Sequence, residues 1–274
     1  MTHRWAEALA AWAIPPQILD AASRDPWVLP VARFAGRADR AVTEPSGASF
    51  ERAAEVLRAE AGSVLDVGAG AGAASLPLAP MATRITAVDS SGSMLVAFAE
   101  RAELAGVDHR EVEGRWPDVA GDVSPHDVTV VHHVVYNIAD IAPFLIALDR
   151  VSVRRVVLEL PPHHPLSWLN PLWKQFHDLD RPSSPIAGDL VEILGAMGAS
   201  ELEADYWRQP PQPEVTGADG SGHETLAERA AMVAQRLCLP VEREPEVAVA
   251  LSAMEPDHHR DVVTISWTPG SLQA

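Results

Sequence analysis

Val64-Leu65-Asp66-Val67-Gly68-Ala69-Gly70-Ala71-Gly72 is the stretch of this chain richest in chemical information. An apolar run that makes one buried strand ends in three alternating glycines, with a carboxylate two residues ahead of the first. Glycines at such a turn let the backbone bend sharply and approach a ligand closely, because no Cβ intervenes. Asp66 selects the ligand by charge: it repels a pyrophosphate and attracts a molecule carrying an ammonium and a sulfonium. S-adenosylmethionine carries both. Asp89 lies 19 residues beyond Gly70 and closes a second short apolar strand, the spacing at which an acid binds ribose hydroxyls. Ser90-Ser91-Gly92-Ser93-Met94-Leu95 then opens a helix to about Ala105, with a serine as its N-cap. Met94 falls at that helix start, where a thioether packs on an adenine face. Two other readings of the glycines stay open. Gly68-x-Gly70-x-x-Ala73 fits a variant dinucleotide fingerprint, and glycines after a strand also serve simply as a turn.

From about Ser63 to Leu160 the chain resembles the class I S-adenosylmethionine-dependent methyltransferases. Asp66-x-Gly68-x-Gly70-x-Gly72 matches their glycine loop, Asp89 their ribose-binding acid, and Ser91-x-Ser93-Met94-Leu95 the segment that follows. The resemblance implies that the loop holds the methionyl part of the cofactor and Asp89 the ribose, with Ser90 beside it and S-adenosylhomocysteine as product. The loop Glu113-Gly114-Arg115-Trp116-Pro117-Asp118 departs from the family, which commonly places an acid beside the glycine. Here Arg115 and Trp116 stand there, so Trp116 is expected to stack on or wall the adenine site. Two family motifs are missing. No Asn/Asp-Pro-Pro-Tyr follows the fourth strand, as in nucleic-acid amino-methyltransferases, and Cys238 has no preceding proline, unlike the nucleophile of cytosine-C5 enzymes.

The elements that position these residues alternate. Strands are expected near 63–67, 84–88, 108–112, 127–132 and 154–160, with helices near 72–80, 93–105 and 140–149. Alternation of this kind gives an α/β fold, Rossmann-like and doubly wound, with a mostly parallel sheet. Two late strands, near 201–207 and 261–267, complete seven strands as the antiparallel edge hairpin that the resemblance implies. The chain reads as one domain: an N-terminal helical cap over 1–46, a cofactor-binding core over 47–160, inserted segments at 161–186 and 208–260, and the last strand at 261–274. Within the cap, helices are expected over 1–13, in a short stretch after Pro16, and through Phe34. Residues 210–222 read as a Pro/Gly loop, followed by helices over 223–238 and 244–254.

In an open α/β sheet, ligands lie beyond the carboxyl ends of the strands. Strand four ends in His132-His133-Val134-Val135-Tyr136-Asn137 and strand five in Glu159-Leu160-Pro161-Pro162-His163-His164. Adjacent strands would bring four imidazoles together at the methyl-donor mouth, His132 on the cofactor side. Methyl transfer asks mainly for in-line placement and a dry pocket; a base helps when the acceptor is a hydroxyl or a protonated amine. His133 and His163 are the first candidates for that base, with Tyr136 as orienter or second candidate. Glu159 would add negative potential. No metal is expected, since adjacent histidines on a strand point to opposite faces and cannot chelate one ion together. The aromatic segment Pro165–Trp173 reads as a lid over a small molecule, as buried packing, or as a homodimer contact.

Composition narrows the partners. A formal charge of −17 over 274 residues argues against a nucleic-acid substrate. The chain has no apolar run long enough to span a membrane, and an acid in Met-Thr-His-Arg-Trp-Ala-Glu stands where a secretory segment would be apolar, so the location is expected to be cytoplasmic. One cysteine excludes an internal disulfide framework. The expected activity is methyl transfer from S-adenosylmethionine to an O or N atom of a small molecule. The rivals are an NAD(P)-dependent oxidoreductase and a non-catalytic module that binds S-adenosylmethionine or a protein.

Overall fold

The computed structural model describes residues 1–28, 30–209, 225–254 and 260–273. Helices α1 (Thr2–Ala10), α2 (Pro16–Leu19), α3 (Val31–Thr43) and α4 (Ala48–Ala59) precede the first strand. Then follow β1 (Gly62–Val67), β2 (Ala82–Asp89), α5 (Gly92–Ala105), β3 (His109–Glu113), β4 (His126–His132), α6 (Ile141–Val151) and β5 (Ser152–Leu160). The rest is α7 (Asn170–His177), α8 (Ala187–Ala196), β6 (Ser200–Gln209), α9 (Leu226–Arg236), α10 (Glu244–Ala253) and β7 (Arg260–Thr268). One sheet runs in the order β3-β2-β1-β4-β5-β7-β6, parallel from β3 to β5, with β7 antiparallel to both of its neighbours. The expected Rossmann-like sheet of seven strands is the one the chain forms. Strand order reverses between β1 and β4, so the crevice for a ligand opens above the carboxyl ends of those two strands.

The central strands are buried on both faces, which is why they read as continuous apolar runs. Leu65, Val67, Val131, Val156 and Leu158 pack with α6 and α8 on one face. Val64, Val128, Val130 and Val157 pack with α4 and α5 on the other. A third apolar cluster stands apart from the sheet. Ile14, then Leu169, Leu172 and Trp173 from the segment after β5, and Val233, Leu237, Val247 and Leu251 from α9 and α10 share it. So the N-terminal stretch and both late segments cohere with one another; the Trp12 indole also donates to the Ser184 carbonyl at 2.6 Å.

Two expectations need correcting, and one open reading narrows. The helix expected near 72–80 is a set of turns with a single 3-10 turn at Leu76–Leu78, because Pro77 and Pro80 cannot donate to a helical ladder. Helix α3 does not end at Phe34 but continues to Thr43, held by a two-pronged ion pair from Arg101 of α5 to Asp39. The aromatic segment after β5 is largely buried packing: Leu169, Leu172 and Trp173 are in the third cluster, and Trp168 alone of its large residues is substantially exposed, under Arg229. The loop read over 210–222 lies outside the described residues.

Candidate functional site

The glycine loop is shaped by its backbone. Gly68, Gly70 and Gly72 take φ of 74°, 52° and 95°, in the left-handed region that favours glycine. The amides of Gly68 and Ala69 both donate to the Val88 carbonyl, at 2.8 and 3.1 Å, which ties the turn to the end of β2. A Cβ on Gly68 would stand 2.3 Å from a methyl of Val134, and one on Gly72 2.5 Å from Leu76. At Gly70 a Cβ would meet only Phe34 of α3, at 3.8 Å. The loop is therefore closed against protein on both flanks and open at its middle glycine, with α3 laid over that opening.

Two carboxylates frame the loop differently. Asp89 accepts the Gly70 amide on Oδ2 at 2.8 Å and the Ser91 amide on Oδ1 at 2.9 Å, so backbone donors fix its orientation. Asp66 is fully buried, and one of its oxygens accepts the Ser75 hydroxyl at 2.6 Å while Oδ1 has no partner. Burial drives its pKa up to about 7; the Ser75 bond opposes this and the negative Asp89 adds to it. A buried carboxylate oxygen without a donor is the environment that a cationic ligand group completes, and a diphosphate would worsen. Ser91 caps α5, accepting the Met94 amide at 3.4 Å, while Met94 is half-buried and Ser90 exposed.

Beyond the switch point the β4 and β5 ends form a second polar cluster. Glu159 is buried and pairs in register with His132 of β4 and Thr264 of β7, all on the α4 side of the sheet. Its Oε2 accepts the Ser49 hydroxyl from the first turn of α4 at 2.5 Å. Its Oε1 lies 3.3 Å from His133 Nε2 and 4.0 Å from His132 Nδ1, and its carbonyl accepts the His133 amide at 2.7 Å. Burial would push the Glu159 carboxyl up, but the two imidazoles and Ser49 outweigh it and hold it well below the usual carboxylate range. His133 takes φ of 60°, uncommon for a residue with a side chain. Because Val134 touches Gly68, this strained turn and the glycine loop are contiguous.

The four imidazoles do not converge. His164 is buried away from the Glu159 cluster, stacked on Trp12 at 3.8 Å between ring centroids and edge-on to Tyr136 at 5.4 Å. Burial, with the nearby Arg181 cation, lowers its pKa to about 4. His163 is exposed, its backbone bridging to Ile186. Tyr136 faces the opposite side of the sheet from the cluster: it is buried against Trp5, and its hydroxyl donates to the Pro161 and Pro162 carbonyls at 3.0 and 3.4 Å. Desolvation raises its pKa further, and the hydroxyl's hydrogen bonds go to those carbonyls and not to His133. Trp116 is likewise taken up by the core. It is buried in the α6 face with its indole donating to the Phe144 carbonyl at 3.3 Å, and Arg115 beside it is exposed. The sequence reading had no place for Ser49 or Phe34. Ser49 stands 110 residues from Glu159, and nothing in its own neighbourhood announces the contact.

No group of three or more His, Cys, Asp or Glu among the described residues is arranged to hold a metal, and none of their helices is long and apolar enough to cross a membrane. A methyltransferase-domain model matches residues 64–152, which run from β1 through the glycine loop to the end of α6. A ubiquinone biosynthesis O-methyltransferase of a Caulobacter species is 27% identical over 157 residues, and that of Caulobacter vibrioides 26%. Each match covers 50% of this chain and 62% of the relative, so the chain spans less than two thirds of the length of these curated relatives. Among solved structures, the YcgJ protein from Bacillus subtilis superposes with a TM-score of 0.50 at 16% identity, covering 78% of this chain and 96% of that one. Magnesium protoporphyrin IX methyltransferase from Synechocystis, solved with S-adenosylhomocysteine bound, gives a TM-score of 0.50 at 16% identity, covering 87% and 84%. Those two likenesses concern the fold. The domain match over the loop agrees with the geometry of Asp66, Gly70 and Asp89, and identifies residues 64–152 as a methyltransferase domain.

Proposed function

We propose that this chain transfers a methyl group from S-adenosylmethionine to an O or N atom of a small-molecule acceptor. The observation that carries the reading is the pair of carboxylates around the glycine loop: Asp66, fully buried with one oxygen unpartnered, and Asp89, oriented by the Gly70 and Ser91 amides. Asp66 suits the ammonium of the methionyl part, the opening at Gly70 suits the chain beside it, and Asp89 keeps lone pairs for the ribose hydroxyls. Ser90 and Met94 border the adenosine end. When bound, S-adenosylmethionine supplies a methyl group on a cationic sulfur, which leaves as a neutral thioether with the bonding pair.

The protein's own part is placement, exclusion of water and one proton. Phe34 and α3 roof the loop, and Val134 closes its flank. His133, next in the chain to Val134 and paired with Glu159, is the candidate base that takes the acceptor's proton. The names of the curated relatives favour oxygen over nitrogen as the acceptor atom. Isothermal titration of the purified protein with S-adenosylhomocysteine and, separately, with NADH tests the reading. Binding of the thioether without binding of the dinucleotide is expected. The reverse result would favour an oxidoreductase.

A further inference from the structure

The roof over the glycine loop continues onto one flank of α9. Arg33 precedes Phe34, the α3 residue that faces Gly70, and its guanidinium donates to the Met232 sulfur on α9. Arg236 follows Met232 by four residues, so the two lie one turn apart on the same face, about 6 Å between their Cβ atoms. Nη1 of Arg236 donates to the Pro26 carbonyl at 2.6 Å. Arg229, three residues ahead of Met232, stands 5.8 Å over the exposed Trp168 ring. Three guanidiniums thus meet along one flank of a chain that has 38 acids and 21 Lys and Arg. Elsewhere arginines are set against acids, as Arg24 is on Glu244, Arg101 on Asp39 and Arg154 on Asp127. Neither Arg229 nor Arg236 has a carboxylate at ion-pair distance among the described residues. Burial and the adjoining Arg33 charge lower the Arg236 pKa, against a weaker pull from Asp25. Half-buried cations brought together repel, and an anion set between them removes that cost.

We propose that Arg33 and Arg236 form an anion-binding site for the methyl acceptor, which therefore carries a carboxylate or a phosphate group. This rests on the methyl-transfer reading above. A guanidinium is a planar fork that grips either group with two parallel bonds. Arg229 adds charge to the flank, and Trp168 beside it offers an apolar face to the body of the acceptor. The site begins one residue from the roof over Gly70, so a molecule held by its anionic end extends from there towards the methyl donor.

Proton–nitrogen NMR of the arginine Nε–H groups tests the site, with signals assigned from their loss in Arg33→Gln and Arg236→Gln. Sodium benzoate, inorganic phosphate and uncharged benzamide are titrated at constant ionic strength, with and without S-adenosylhomocysteine. Benzoate is expected to shift both signals with a Kd below about 5 mM, and benzamide to leave them in place. Benzoate affinity is expected to fall at least fivefold in Arg236→Gln and to recover in part in Arg236→Lys, which keeps the charge without the fork. Tighter binding of phosphate than of benzoate would leave the site standing and make the acceptor a phosphorylated one. Equal shifts with benzamide, no shift with either anion, or an affinity unmoved in Arg236→Gln overturns the proposal. Should Arg236→Gln fail to fold, the wild-type contrast between benzoate and benzamide decides. S-adenosylhomocysteine affinity is expected to stay within threefold in Arg236→Gln; a tenfold loss there would give the site to the cofactor's own carboxylate and overturn the acceptor role. No binding of S-adenosylhomocysteine to the wild type would instead remove the methyl-transfer reading and with it the acceptor role, while benzoate binding in its absence would still establish the anion site.

Discussion

The Gly70 amide and the Asp89 carboxylate are joined by a 2.8 Å hydrogen bond that spans the mouth of the crevice from β1 to β2. The same carboxylate caps the turn into α5 through Ser91. One side chain therefore shapes the loop and presents acceptors to a ribose. In Asp89→Ala both amides lose a charged partner, and so do the ligand's hydroxyls. Bonds to a charged group are worth about 1.5–3 kcal/mol each, so S-adenosylhomocysteine affinity is expected to fall at least about 30-fold by calorimetry. Loss of the two amide bonds is also expected to lower the melting temperature, by roughly ten degrees. Unchanged affinity would remove Asp89 from the ribose.

Asp66 and Glu159 give stability opposite slopes with pH. Burial raises Asp66 from an ordinary 3.8 to about 7, so between those values the folded protein holds a proton that the unfolded chain has lost. Stability from this group is full at about pH 4 and declines up to about pH 7, by a total of order 4 kcal/mol. Glu159 is depressed, so its contribution is present above an ordinary glutamate pKa and is lost as the solution becomes more acid than that. Urea unfolding from pH 4.5 to 7.5 is expected to show a decline in the wild type that Asp66→Asn flattens. A decline of equal size in both proteins would show that Asp66 is already ionised when folded.

What was legible in the sequence is what local chemistry dictates. Val64 to Gly72 states strand, turn and acid in nine consecutive residues, and Asp89 follows at a spacing set by one turn, a strand and their connection. The roles of His164, Tyr136 and Trp116 were not legible, because each depends on which face of the sheet a residue after a strand turns towards. Trp12, Trp5 and Phe144, the groups that claim them, come from distant parts of the chain. Pro77 was visible, yet the apolar run around it outweighed it in the helix reading over 72–80.

Gly68 and Gly106 have similar positive φ, 74° and 67°, but opposite surroundings. At Gly106, the C-cap of α5, a Cβ meets nothing within 4 Å; at Gly68 it meets Val134 at 2.3 Å. Gly106→Ala should therefore cost only the left-handed strain, about 1 kcal/mol. Gly68→Ala adds a clash that forces Val134 and the neighbouring His133 turn to move, and is expected to cost more than about 2 kcal/mol. Denaturant midpoints at equal m-values measure both. Equal losses would mean that the Val134 turn yields freely.

Tyr136→Phe separates a structural hydroxyl from a chemical one. The hydroxyl donates to the carbonyls of Pro161 and Pro162, while its ring packs on Trp5 and His164. Removing the oxygen keeps the ring contacts and leaves those two carbonyls without that donor, a loss of about 1–2 kcal/mol. Loosening of the chain after β5 is the expected consequence, read as faster amide exchange at Ala187, whose N–H bonds the Pro162 carbonyl at 2.9 Å. The His133 tautomer and S-adenosylhomocysteine affinity should both stay at wild-type values, since Tyr136 lies across the sheet from Glu159. If His133 changed its protonation in Tyr136→Phe while Ala187 exchanged as before, the hydroxyl would belong with the proton chemistry after all, and its bonds to the prolines would be incidental.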